Sequence, residues 1–171
     1  MTSVQPALAG LVFLPFATVI AVWVAVSDMS RMKIPNKAVM ALFVVFAAAG
    51  LGLVALGAFT LPEYLWRYAH LGVVLLLGFV MNAAGLLGAG DAKFAAAMAP
   101  FVALGDIAMF GYVLAIAILF GFVAHRLAKR VPGVRSATAH WESWERDDFP
   151  MGLCLGIALV AYLAIVATGG A

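Results

Sequence analysis

Two aspartates stand where apolar sequence does not ordinarily admit a charge. Asp28 ends the first hydrophobic run, in Ser-Asp-Met-Ser-Arg-Met-Lys-Ile-Pro-Asn, and Asp91 lies in Gly-Ala-Gly-Asp-Ala-Lys, residues 88–93. Ionisable groups within apolar sequence are costly, so they are functional candidates by default. Two carboxylates a few ångströms apart cannot both ionise easily; one keeps a proton and the other carries the charge. Such a pair can hydrolyse an amide: the charged member takes a proton from water and the protonated member hydrogen-bonds the scissile carbonyl. Gly88 and Gly90 lack Cβ atoms and let another backbone approach. Other readings stand beside this one. Asp91 could be the N-cap of the helix that follows it, and Asp28 an interfacial acid paired with Arg31 or Lys33. Both together could form the proton or cation site of a small transporter or channel, although such sites usually lie near the bilayer midplane on broken helices.

The elements that must position these residues are membrane helices. The chain has 171 residues, 66% hydrophobic and 11% charged, with a mean hydropathy of +1.11, against about 45–50% apolar and ~25% charged in a soluble domain. The expected class is an all-α, polytopic integral membrane protein forming one unit over residues 1–171. A span needs about 20 mainly apolar residues. The hydrophobic runs predict six, at about 8–27, 38–59, 69–87, 92–105, 107–125 and 150–168. The fourth is short, only ~21 Å as a helix. Pro15 predicts a kink in the first, Pro35 enforces a turn at Ile34-Pro35-Asn36, and residues 61–68 read as an aromatic loop at a membrane surface. The N-terminus has no basic segment of the signal-peptide kind, so the first run is expected to stay as a helix.

Six spans put loops 28–37, 88–93 and 126–149 on one side. Nine of the ten Lys and Arg residues lie there, and Arg67 alone on the other. By the positive-inside bias the first side is cytoplasmic and both termini face outward. The aspartates then share the cytoplasmic face, because the chain crosses the membrane twice between them. The lone Cys154 in an apolar run reads as a buried thiol. His70, His125 and His140 have no ligand spacing, so no metal or other cofactor is expected.

These residues carry a family resemblance. Asp28 followed by Ile34-Pro35-Asn36 resembles the first signature of prepilin peptidases, the type IV leader peptidases. Gly88-Ala-Gly90-Asp91-Ala-Lys93 resembles their Gly-x-Gly-Asp-x-Lys signature. Phe149-Pro150-Met151-Gly152 is similar to their Pro-Tyr-Gly-type start of a late helix, with Met replacing the aromatic residue. Some members carry Arg or Lys two residues after the first aspartate, where this chain has Ser30. The resemblance implies an intramembrane aspartyl endopeptidase, with Asp28 and Asp91 as the catalytic pair, that removes leaders from prepilins and pseudopilins at the cytoplasmic face of the bacterial inner membrane. Larger members carry an insert with Cys-x-x-Cys pairs and methylate the new N-terminus. This chain lacks both and looks like the short form of Flp-type (Tad) pili, cleaving without methylation. Preflagellin peptidases of the same superfamily are a neighbouring alternative. Prepilins, pseudopilins and membrane lipid are the expected partners, and nucleic acid is not.

Three further features have a bland and a sharper reading. Lys93 either snorkels to lipid phosphates or tunes the carboxylates. Pro35 and Asn36 are expected to shape the turn that supports Asp28; the sharper reading has them touch substrate. The stretch Trp141–Asp148 is expected on the inner membrane surface with its tryptophans at headgroup level. Alternatively, its acids Glu142, Glu145, Asp147 and Asp148 attract a basic leader.

Overall fold

The computed structural model describes residues 3–146 and 148–169, and among these the chain is helical with no strand. The helices are α1 (Ala7–Arg31), α2 (Asn36–Ala55), α3 (Leu61–Ala83), α4 (Ala89–Met98), α5 (Ile107–Ala128), α6 (Pro132–Ala137) and α7 (Met151–Ala167). Single 3₁₀ turns occur at Ala99–Phe101, Leu104–Asp106 and Glu142–Trp144. Four segments are long and apolar enough to cross a membrane: Ala7–Arg31, Asn36–Ala55, Leu61–Ala83 and Leu104–Ala128. α7, with 17 residues, and α4, with 10, fall short of that length.

The α1–α7 pair forms the spine. Along α1 the buried positions are Ala9, Phe13, Ala17, Ile20 and Val24, spaced three or four apart on one helical face. Asp28 is the next member of that stripe. Gly10 lies against the backbone of Leu163 and Ala167, and Gly156 against Ala21. The two helices therefore run antiparallel, in van der Waals contact through small residues. That register brings the end of α1 to the start of α7.

α4 is the central piece, packed against α2, α3 and α7. Its buried face, Phe94 and Met98, continues to Phe101 in the 3₁₀ turn. Phe101 meets Phe13 of α1 at 4.8 Å and Phe46 of α2 at 5.3 Å between ring centroids. Such aromatic pairs each add about 0.5–1.5 kcal/mol beyond burial. They anchor the far end of α4, so its near end is held relative to α1 and α2.

At that far end, away from Asp28, a buried polar network takes up the chain start. Asp106 accepts hydrogen bonds from Val4 N–H (2.8 Å), Ser3 Oγ (2.9 Å), Gln5 N–H (3.2 Å) and Tyr162 OH (2.9 Å). Arg67 is buried, donates to Gln5 Oε1 at 2.6 Å and pairs with Glu63 at 3.1 Å.

The structure corrects three expectations. Residues 61–68 are not a loop but the first two turns of α3. Thr60 caps that helix by accepting from the Glu63 N–H, Pro62 occupies its first turn, and the Glu63–Arg67 pair sits one turn apart. α1 runs one turn beyond residue 27, so Asp28 is helical and not in the loop 28–37. Trp144 faces the protein interior, not lipid headgroups. It is 1% exposed, stacks on His125 at 4.9 Å, and donates its indole N–H to the Thr138 carbonyl at 2.9 Å. The turn that carries it packs against α1, and the satisfied N–H lets the large ring be buried without an unpaired donor. Glu142, Glu145 and Asp148 are exposed, and Asp147 lies outside the described residues.

Candidate active site

Asp28 is 5% exposed, and its carboxylate is met by the start of α7: the Gly152 N–H donates to Oδ2 at 2.7 Å. Pro150 occupies the N-cap of that helix. The first amides of a helix have no intrahelical acceptor and carry the positive end of its dipole. A carboxylate placed there in its ionised form satisfies both. The glycine is a steric requirement, since a Cβ on Gly152 would lie 2.9 Å from Asp28 Oδ2 and 2.9 Å from Ile34 Cδ1.

The chain beyond Asp28 is shaped by a left-handed residue. Met32, at φ 51 and ψ 40, ends α1 and returns its N–H to the Asp28 carbonyl at 2.8 Å. Ser27 Oγ donates to the Lys33 carbonyl at 2.8 Å, and Pro35, extended at φ −66 and ψ 131, starts α2. This tight turn projects Ile34 back between α4 and α7, where it contacts both Gly90 and Gly152. Ser30 donates to the Val26 carbonyl at 2.6 Å, on its own helix.

Asp91 sits in the first turn of α4, but not at its cap. Gly88 is the N-cap residue, and the Asp91 side chain folds back over it: a Cβ there would lie 2.5 Å from Asp91 Oδ2. The preceding loop is pinned by Asn82, which donates to the Leu87 carbonyl at 2.7 Å, and turns at Gly85 with φ 73. Asp91 lies ahead of the buried part of α4 and outside the four long apolar helices. Its carboxyl is pushed up to about 6, first by burial and second by the charge of Asp28, against a smaller opposing effect of its own N–H.

Both aspartates open on one cavity of about 330 Å³. Met32, Lys33, Ile34 and Asn36, from the turn between α1 and α2 and the start of α2, line it with Gly88, Ala89, Gly90 and Lys93 from the start of α4. Among the described residues the only ion pair joins Arg67 to Glu63, so neither Arg31 nor Lys33 neutralises Asp28. The structure thus brings together Asp28, Asp91, Gly88, Gly90, Ile34, Asn36 and Lys93. Pro35 and Pro150 begin the flanking helices, and Gly152 touches Asp28 from behind. Sequence reasoning missed Met32 and Ser27. The nearest signal was Pro35, which forces α1 to end before it and the chain to turn sharply.

Two carboxyls on one partly open polar cavity at the end of a helical bundle could share one proton and so activate water against a polarised carbonyl. The comparisons point the same way. No curated protein and no solved structure matches the chain. The model of the type IV leader peptidase family matches residues 15–125, a stretch that holds Asp28, Asp91 and every residue lining their cavity. Over that stretch, and with that arrangement of residues, the chain belongs to the type IV leader peptidase family.

Proposed function

We propose that this protein is an intramembrane aspartyl endopeptidase that cleaves the leaders of Flp-type prepilins and pseudopilins, with Asp28 and Asp91 as its catalytic pair. The observation that carries the reading is the shared cavity of about 330 Å³ onto which both carboxyls open. Asp28, hydrogen-bonded to the start of α7, is the charged member and Asp91 the proton-bearing one. Asp28 takes a proton from water as its oxygen attacks the scissile carbonyl carbon, while Asp91 donates a hydrogen bond to the carbonyl oxygen. The tetrahedral intermediate collapses as a proton passes to the leaving nitrogen, releasing a new carboxylate and a new amine. Gly88 and Gly90 line the cavity beside Asp91, where an extended stretch of substrate backbone would pass. Lys93, at the cavity rim, tunes the pair or contacts substrate.

The topology we infer has six crossings within one membrane-embedded domain, 1–171. Residues 92–105, from just past Asp91 in α4 through the two 3₁₀ turns, are the short fourth crossing, α7 the sixth, and both termini face outward. The site then opens on the cytoplasmic face of the inner membrane, supported by the nine cations on that side. Arg67, on the other side, is buried and paired with Glu63. The absence of Cys-x-x-Cys pairs from the sequence favours cleavage without methylation. Family membership favours proteolysis over proton or cation transport.

The test is cleavage of a co-expressed Flp-type prepilin in membranes by wild type, Asp28→Asn and Asp91→Asn at matched expression. The reading expects cleavage by wild type and its loss, by about 10³-fold or more, in each variant. Full activity in either variant would contradict a two-carboxylate mechanism.

A further inference from the structure

A second cavity, about 520 Å³ and almost wholly apolar, begins where the aspartate cavity ends. The two share Asn36 and Lys93. From these residues the apolar groove runs along α2 past Met40 and Phe43 and along α3 past Leu75 and Leu71. Its floor is the alanine face of α4, Ala96 and Ala97. α2 and α3 each pack against α4 or its following turn; they stand apart over it beside the site and meet farther along, where Phe43 lies edge-on to Tyr68 and Phe46 stacks on Tyr64. Asn36, Met40 and Phe43 are three or four residues apart, one stripe of α2 descending about 10 Å from the site.

We propose that this groove receives the apolar helix of the peptidase's own substrate, the segment adjoining the bond to be cut. The inference rests on the peptidase reading and extends it to how the substrate is held. A prepilin-type substrate presents a chain that must be extended at the bond and can be helical beyond it. The two cavities match that division: polar, glycine-flanked space at the carboxyls, then an apolar trough aligned with the membrane helices. The only polar lining groups, Asn36 and Lys93, stand at the junction. A lipid chain could fill the trough but has no reason to be continuous with the aspartates. A shallow trough floored by alanines lets a helix approach closely, which favours van der Waals association in lipid.

The test is disulfide trapping in the full chain reconstituted in vesicles. Cysteine replaces Met40 or Phe43 in the groove, or Ile116, 66% exposed on α5, as a lipid-facing control. The probe is a prepilin-type substrate with one cysteine stepped through the apolar segment after the scissile bond. We expect Met40→Cys and Phe43→Cys to trap substrate at least tenfold more than Ile116→Cys. Moving the substrate cysteine three or four residues from the bond should shift the strongest trap from position 40 to position 43. Trapping no stronger than at Ile116→Cys, or independent of substrate position, overturns the groove and leaves lipid as its occupant. Cleavage without groove trapping sinks the groove and spares the peptidase. Registered trapping without cleavage supports the groove and sinks the peptidase.

Discussion

Replacing Gly152 by alanine puts a methyl group against the one contact that fixes Asp28. The new Cβ would lie 2.9 Å from Asp28 Oδ2, 3.1 Å from its Cγ and 2.9 Å from Ile34 Cδ1, where ordinary contact begins at 3.4 Å. These atoms end side chains and can yield, so the helix packing survives and the carboxylate moves by about 0.5 Å, the gap between those distances. Its 2.7 Å hydrogen bond from the Gly152 N–H stretches with it. A hydrogen bond to a charged group contributes about 1.5–3 kcal/mol, and each 1.36 kcal/mol is tenfold in rate. Weakening most of that bond predicts a fall in kcat of about 10- to 100-fold, in line with the cost of an ångström-scale misplacement. Initial cleavage rates of a prepilin-type substrate in vesicles measure it, with thermal unfolding to show that the variant is folded. Gly111→Ala, where a Cβ meets open space, is the control and should match wild type. Gly152→Ala cleaving within twofold of wild type would refute the reasoning, because Asp28 would then owe its position to something other than α7.

Four other outcomes follow from the same geometry. Asp91, pushed up to about 6, holds its proton below that pH and loses it above; a dyad that works with one proton should lose cleavage rate tenfold per unit on the alkaline side of about pH 6. A rate that keeps rising to pH 8 would reverse the assignment. The same shift makes the native state bind this proton more tightly than the unfolded chain does, so its contribution to stability should fall from about pH 4 to about pH 6 and then level off, and Asp91→Asn should lessen the fall seen for the whole protein. Trp144→Ala, which empties a site 1% exposed, should cost about 3–5 kcal/mol; an unchanged melting temperature would return the ring to the membrane surface. Gly10→Ala sets a Cβ 2.5 Å from Ala167 N and 2.8 Å from Leu163 O, backbone atoms that yield only if α1 and α7 separate, at about 1–3 kcal/mol. Thermal unfolding in detergent tests it, and a neutral result would deny their close contact.

Local chemistry made the class of the protein and its two carboxyls readable from the sequence. Apolar runs of membrane length identify helices without any knowledge of packing, and a charge that breaks such a run stands out against it. The glycines at 88 and 90 marked a turn, though their reasons differ: Gly88 makes room for Asp91's own side chain, while Gly90 admits Ile34 from a distant loop. Helix limits were less legible where capping competed with hydropathy, as at Thr60, whose side chain starts α3 eight residues before the apolar run at 69. Trp144 was misplaced because nothing near it in the chain reveals His125 or α1 as its neighbours. Only the tertiary structure decided which groups face the aspartates. Asp28 and the Gly152 amide are 124 residues apart, and they meet because small residues let α1 and α7 lie antiparallel in one register. Helical periodicity gives each helix a buried face, but the register between two such faces depends on side-chain contacts along both, and no local pattern in either helix contains it.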